Sequence, residues 1–249
     1  AALSWLARGT YAAGAFDEAA QYSVDTYDLA VAALQTSRLE DDSNLEAALG
    51  AAIETDALVR AARGDRSSAV YYLERAMETY RDSPIHKRLQ KNINLLSLVG
   101  QPAPAIVAPE HLGPSVQSLD DLKGDVVLLF FWAHWCPDCK AQVPAIASAL
   151  DKYRSQGFHV VAPTQRFGYI DSGQDAAPDE ELRHIEQVFD QSYAILGDQS
   201  VPVSDENHKN YGVSTTPTLV LVDREGIVRL YRPGNMSEDD LDAAIRELL

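Results

Sequence analysis

The chain opens with a helical pattern of apolar and polar positions. From Ala1 to about Val99 apolar residues recur at intervals of three and four, and Pro84 is the only proline. That spacing places apolar side chains on one face of an α-helix. It predicts helices over about residues 2–13, 17–36, 44–63, 66–81 and 86–98, separated by glycines, a polar stretch and the proline.

A different pattern follows Gly100, where short apolar runs alternate with helical ones. The continuous run at 126–133 is typical of a central strand covered on both faces. Further strands are predicted at 158–162, 218–223 and 227–231, and helices at 139–156, 178–193 and 237–249. We therefore predict an all-helical domain over 1–99 and an α/β domain over 100–249.

Composition and charge exclude several function classes. The 249 residues are 46% hydrophobic and 23% charged, as in a folded globular protein. No apolar run approaches the roughly 20 residues that span a bilayer, so we predict no membrane insertion. The net charge of -16 repels phosphates, and we therefore expect no nucleic-acid binding.

The chain has two cysteines, Cys136 and Cys139, and they follow the predicted buried strand where a helix begins. Unpaired N–H groups and the positive end of the helix dipole stabilise a thiolate there, and Pro137 suits the first helical position. We therefore expect Cys136 to be a nucleophile that solvent can reach. Cys139 lies one turn on, within disulfide distance, and is expected to be more buried.

The surrounding residues extend this motif into a family resemblance. The segment Phe-Trp-Ala-His-Trp-Cys-Pro-Asp-Cys-Lys at 131–140, with Pro144 and the Thr216-Pro217 pair downstream, resembles the thioredoxin superfamily. Within it the chain resembles the TlpA/ResA-like branch, in the redoxin or AhpC/TSA group. The resemblance implies a thioredoxin fold with a central mixed sheet flanked by helices. It further implies a thiol-disulfide oxidoreductase that acts on protein thiols and disulfides, works outside the bacterial cytoplasm, and needs no cofactor beyond its own cysteine pair.

The resemblance also assigns roles to single residues. It implies that Cys136 attacks a partner disulfide and that Cys139 resolves the mixed disulfide. The substrate-binding residues would be Trp135, Pro137, Thr216 and Pro217. The Thr216–Pro217 bond is expected to be cis, so that a substrate chain can pair with the Thr216 backbone opposite the thiolate.

Two positions depart from the family pattern. Thioredoxins carry a buried acid beneath the cysteine pair, where this chain has Phe130, and many TlpA-like proteins carry a glutamate where it has Gln142. The usual acceptor for the Cys139 proton is therefore missing. Asp138 and His134 are the candidates to take over proton transfer.

The helical half carries a weaker resemblance. Ala57, Gly64, Ala69, Leu73 and Ala76 have the spacing of a tetratricopeptide-like hairpin, in which small residues let two helices approach closely. Two interpretations stay open for this half. It is either a bundle that packs on its own or a surface that binds a protein partner.

Other functions compete with disulfide exchange. A zinc site needs two ligands besides this cysteine pair, and a peroxiredoxin would carry Thr or Ser where Ala133 stands, so we predict neither. The alternative function is an interaction adaptor whose thioredoxin-like half is a scaffold without redox turnover. The remaining histidines are expected to lie singly. The long stretch at 166–178 is expected on the active-site side, either contacting substrate or forming an ordinary surface loop.

The sequence generates one test directly. An acidic Asp138 beside Cys136 disfavours the thiolate, so Asp138→Asn should move the pH midpoint of Cys136 alkylation by iodoacetamide to a lower value. Asp151→Asn, farther along the same predicted helix, is the matched control. Coincident curves for the wild type and Asp138→Asn would refute the effect.

Overall fold

The computed structural model describes residues 2–114, 118–197 and 199–249, and the chain divides into two compact units at Ser97/Leu98. Within these described ranges, no helix is both long and apolar enough to cross a membrane. The helices of the first unit are α1 (Ala2–Ala12), α2 (Phe16–Ala33), α3 (Ser43–Ala62), α4 (Arg66–Thr79) and α5 (His86–Ser97). They lie within three residues of the predicted bounds, so the all-helical prediction is confirmed.

Local signals set where these helices begin and end. Asp42 caps α3 by accepting hydrogen bonds from the N–H groups of Asn44 and Leu45, at 2.9 and 3.1 Å. Asp65 caps α4 in the same manner. Gly64 turns the chain between the two helices with a φ of 90°, a conformation that favours glycine.

The core of the first unit lies between consecutive helices. Leu49 and Ile53 of α3 are fully buried, as are Leu73 of α4 and Leu89 of α5. Ala57 and Ala69, on α3 and α4, are also fully buried. Side chains this small allow α3 and α4 to pack closely on each other.

The second unit is an α/β domain. Its strands are β1 (Glu110–Leu112), β2 (Val126–Phe131), β3 (Phe158–Val161), β4 (Tyr169–Ile170), β5 (Gln174–Asp175), β6 (Val201–Val203), β7 (Thr218–Val222) and β8 (Val228–Pro233). Its helices are α6 (Pro137–Tyr153), α7 (Pro178–Ser192), α8 (Asp205–Asn210) and α9 (Glu238–Arg246). The main sheet has the order β3-β2-β7-β8, with β2 parallel to β3 and antiparallel to β7. The predicted mixed sheet flanked by helices is confirmed.

Strand β2 is the centre of this unit, and every one of its residues is buried. Leu128 and Phe130 belong to an apolar cluster on one face, and Leu129 and Phe131 to a cluster on the other. Side chains alternate between the faces of a strand, so a run without polar positions must be covered on both sides. The strand pairs Phe131 with Thr218 of β7. The segment after β2 and the segment before β7 therefore meet at the same edge of the sheet.

The short elements of this unit were not predicted from the sequence. Strand β6 pairs antiparallel with β1, and the hairpin of β4 and β5 joins strands of two residues each. Strand β6 is three residues long and has Pro202 at its centre. A proline inside so short a run demotes it as a predicted strand.

One stability test follows from an ion pair inside the helical unit. Glu54 lies 2.6 Å from Arg88 and 2.9 Å from Lys91. Burial alone would raise the pKa of Glu54, but the two cations outweigh it and hold the pKa below its ordinary value. Glu54→Gln leaves both cations partly buried without their partner and should cost about 2–3 kcal/mol in the free energy of unfolding.

The same pair gives stability a pH dependence with a definite sign. Because the folded-state pKa is lowered, the contribution is present above the ordinary value of 4.5 and is lost as pH falls through the folded value. Urea denaturation of the wild type and of Glu54→Gln, at pH 7 and below pH 4, measures the contribution of this ion pair to the free energy of unfolding. The exposed Glu74→Gln on α4 is the control. An equal loss in the two variants at pH 7 would contradict the assignment.

Candidate active site

The two cysteines lie at the start of α6. Cys136 is the residue before the helix, with extended backbone angles (φ -85°, ψ 109°), and Pro137 occupies the first turn. The Sγ of Cys136 accepts a hydrogen bond of 3.0 Å from the N–H of Cys139. The two residues form a disulfide bond with their Cα atoms 5.3 Å apart. The structure therefore brings the predicted pair together at a helix N-terminus, where N–H groups and the dipole favour negative charge on sulfur.

The exposure of the pair differs from the expectation. Cys139 is fully buried, and Cys136 is only 2% exposed. Both belong to the apolar cluster on one face of the main sheet, whereas Trp135 is 48% exposed beside them. The expectation that solvent reaches Cys136 is wrong for this oxidised state, because its side chain packs into that cluster.

The Thr216–Pro217 bond is cis. Thr216 is half-buried, Pro217 is buried, and the Pro217 carbonyl accepts a 2.8 Å hydrogen bond from the N–H of Gly234. These two residues directly precede β7. Because β7 pairs with β2, they lie at the sheet edge from which the chain runs on to Cys136.

The two proton-transfer candidates lie in contrasting surroundings. Asp138 is exposed in the first turn of α6. The His134 side chain is 1% exposed, and its ring lies edge-on to Phe167, Tyr169 and His184, with centroid distances of 5.5, 5.7 and 5.1 Å. The expectation that the remaining histidines lie singly is therefore wrong for His184.

A buried carboxylate that the sequence analysis missed completes this cluster. Glu181 of α7 is 1% exposed, and Oε1 and Oε2 accept hydrogen bonds from the N–H groups of Phe167 and Gly168 respectively. Its Oε1 lies 3.5 Å from Nε2 of His134. A usable signal was present, because Glu181 precedes the buried Ile185 and Val188 by four and seven residues, on the apolar face of the helix.

Burial lowers the pKa of His134, and the neighbouring His184 lowers it further. The carboxylate of Glu181 acts in the opposite direction but does not outweigh them. The neutral imidazole is therefore favoured at this position, and a neutral ring can accept a proton.

Phe167 and Tyr169, in the stretch after β3, pack beside the loop that leads into Cys136, and we call these two rings the Phe167 wall. The Phe167 ring meets that of Trp135 edge-on, with centroids 5.6 Å apart. The Nε of Arg166 donates to the Pro178 carbonyl at 2.9 Å, and its guanidinium pairs with Glu110. A cavity of about 510 Å³ lies beside this wall, and residues of both α6 and α7 line it. Its lining includes His134, Trp135, Lys140, Tyr169, Asp171 and His184.

Comparison with known proteins agrees with this geometry. The profile of the family described as Redoxin matches residues 98–245, which is more than half of the chain. The chain belongs to the Redoxin family. Its relatives include the thiol-disulfide oxidoreductase ResA of Bacillus subtilis, 30% identical over 139 residues, which are 56% of this chain and 69% of ResA. ResA of Bacillus thuringiensis is 25% identical over 150 residues, 60% of this chain and 78% of that protein.

Solved structures also match part of the chain. A thiol-disulfide isomerase from Corynebacterium glutamicum is 22% identical, with a TM-score of 0.47 over 59% of this chain and 96% of that chain. The redoxin half of the protein itself holds the disulfide, the cis proline and the four-stranded mixed sheet together. The protein is a thiol-disulfide oxidoreductase.

The two departures of this redoxin from its family pattern are buried. Phe130 is fully buried and packs near Tyr193, with ring centroids 6.2 Å apart. Gln142 is 2% exposed, and its Oε1 accepts a 2.8 Å hydrogen bond from the N–H of Met236. Among the described residues, no group of three or more His, Cys, Asp and Glu side chains is arranged to hold a metal ion.

Proposed function

We propose that the protein exchanges disulfides with other proteins, with Cys136 as the attacking sulfur and Cys139 as the resolving one. In the reduced enzyme the Cys136 thiolate attacks a substrate disulfide, whose S–S bond breaks as a mixed disulfide forms and one substrate thiolate leaves. Cys139 then gives up its proton and attacks Cys136, which releases the second substrate thiolate. The substrate gains two electrons, and the enzyme becomes the disulfide seen here.

The observation that carries this proposal is the hydrogen bond from the Cys139 N–H to the Cys136 sulfur, at 3.0 Å. After reduction the same N–H can stabilise a thiolate at Cys136, which supports that sulfur as the nucleophile. Cys139 is fully buried, whereas Cys136 keeps 2% of its surface exposed. Run backward, the same steps oxidise a substrate dithiol, and the reduction potentials of the two partners set the direction.

The neighbouring residues would bind the substrate chain. Thr216 and the cis Pro217 lie at the sheet edge next to the cysteine loop, which supports the role of the Thr216 backbone as a pairing site for an extended chain. Trp135, directly before Cys136, offers a half-exposed ring. Pro137, directly after Cys136, completes the proposed substrate-binding set.

We favour His134 over Asp138 for proton transfer. The support is its position two residues before Cys136, its burial and its lowered pKa, which together keep a neutral base beside the redox site. Asp138 is exposed to solvent, whereas His134 is enclosed by other side chains.

An extracytoplasmic location and a partner-binding role for the helical unit complete the proposal. The location is supported by the TlpA/ResA-like resemblance and by a cysteine content limited to the redox pair, which leaves no stray thiol to oxidise. The tetratricopeptide-like spacing around Ala57 and Ala69 supports a helical unit that selects the protein partner.

Insulin reduction tests the proposed turnover. With dithiothreitol as electron donor, the wild type should accelerate insulin precipitation, and Cys136→Ser should lose more than about 100-fold of that rate, because the attacking sulfur is gone. A wild type no faster than Cys136→Ser would favour the redox-inactive adaptor instead.

Trapping tests the division of roles between the sulfurs. Cys139→Ser should stall at the mixed disulfide and accumulate covalent complexes that a reducing gel dissolves. Cys136→Ser, which keeps one thiol, is the matched control and should trap little. Equal trapping by the two variants would contradict the assignment, and mass spectrometry of the trapped complexes would identify the substrates.

A further inference from the structure

A carboxylate as buried as that of Glu181 needs compensation, because removing a charge from water is unfavourable unless the charge is paired and hydrogen-bonded. Two backbone N–H groups, of Phe167 and Gly168, donate hydrogen bonds to it. The imidazole of His134 lies 3.5 Å from Oε1, and Tyr169 also interacts electrostatically with the carboxylate. That distance exceeds a normal hydrogen bond, so the contact is chiefly electrostatic.

These contacts tie α7 to the redox loop by two routes. One route is electrostatic, from Glu181 to His134, which stands two residues before Cys136. The other is mechanical, from Glu181 through the backbone of Phe167 to the Phe167 ring, which packs edge-on against Trp135. Both routes end on the short segment that leads into Cys136.

We propose that Glu181 is a positioning residue for disulfide exchange, which holds the Phe167 wall in place and puts a negative charge against the His134 imidazole beside the redox site. The inference rests on the proposed attack by Cys136. It adds a residue from α7, far from the Cys-Pro-Asp-Cys motif in sequence, to the machinery of that reaction.

Several other groups face His134 and enter the same balance. They are His184 of α7, Tyr169 of β4, Asp171 directly after β4, and Lys140 of α6, which lines the same cavity. His184 disfavours the imidazolium of His134, whereas Asp171 and Glu181 favour it. Glu181 is the buried member among the acids, so its charge is the least screened by solvent.

The test begins with a readout that needs no turnover. NMR follows the titration of the His134 ring in the oxidised protein, and His134→Gln identifies its signal. Glu181→Gln keeps the side-chain shape and one acceptor oxygen but removes the charge, so the His134 midpoint should fall by about 1 pH unit. Glu180→Gln, an exposed neighbour with the same charge change, should leave the midpoint where it is.

The second readout is kcat/KM for insulin reduction as a function of pH. The wild-type profile should contain a limb whose midpoint equals the NMR midpoint of His134. The midpoint of that limb should move to lower pH in Glu181→Gln and stay unchanged in Glu180→Gln. The limb should be absent in His134→Gln. If Glu181→Gln does not fold, His184→Asn serves instead, and its removal of a neighbouring imidazole should raise both midpoints.

The outcomes separate the two proposals. A wild type without insulin reduction would end the proposed function, while the NMR titration would still report whether Glu181 sets the charge of His134. An active wild type whose limb stays fixed in Glu181→Gln and in His184→Asn would overturn the inference and leave disulfide exchange intact. A change only in thermal stability, with unchanged profiles, would also overturn it.

Discussion

The active site depends on one constraint, which is that α6 must begin where β2 has just ended. The first N–H groups of a helix have no partner within it, and here the sulfur of Cys136 occupies the capping position that they face. Pro137 fits the first turn because its ring has no N–H to leave unpaired. The nearby strand fixes this arrangement, since β2 is buried on both faces and cannot shift without exposing its apolar side chains.

The remaining parts of the site come from elements that the same sheet aligns. Pairing of Phe131 with Thr218 sets the register that brings Pro217 to the edge where the cysteine loop starts. Strand β3 runs parallel to β2, and the stretch that follows β3 supplies the Phe167 wall. Glu181 then anchors that wall from α7. The chemistry thus draws on residues from four separate stretches of the chain.

Part of the fold and of the active site could be predicted from the sequence, for physical reasons. The spacing of apolar residues fixed the helices of the first unit, and the uninterrupted run at β2 predicted a covered strand. The cysteine pair and the Thr-Pro dipeptide carry their chemistry in residue identity. The contact between His134 and Glu181 could not be predicted from the sequence, because it joins residues 47 positions apart and depends on how α7 packs. The short strand β6 was hidden by Pro202, and the burial of Cys136 depends on tertiary packing alone.

The near-complete coverage of the Cys136 sulfur has a consequence for the electron traffic of the oxidised protein. A small thiol such as dithiothreitol reaches the disulfide only through the narrow exposed surface of Cys136, which is 2% exposed, whereas Trp135 beside it is 48% exposed. The burial therefore slows reduction by a small thiol without preventing it. A macromolecule that moves the loop around the cysteines would uncover the sulfur as it binds, so that recognition of the partner would speed reduction.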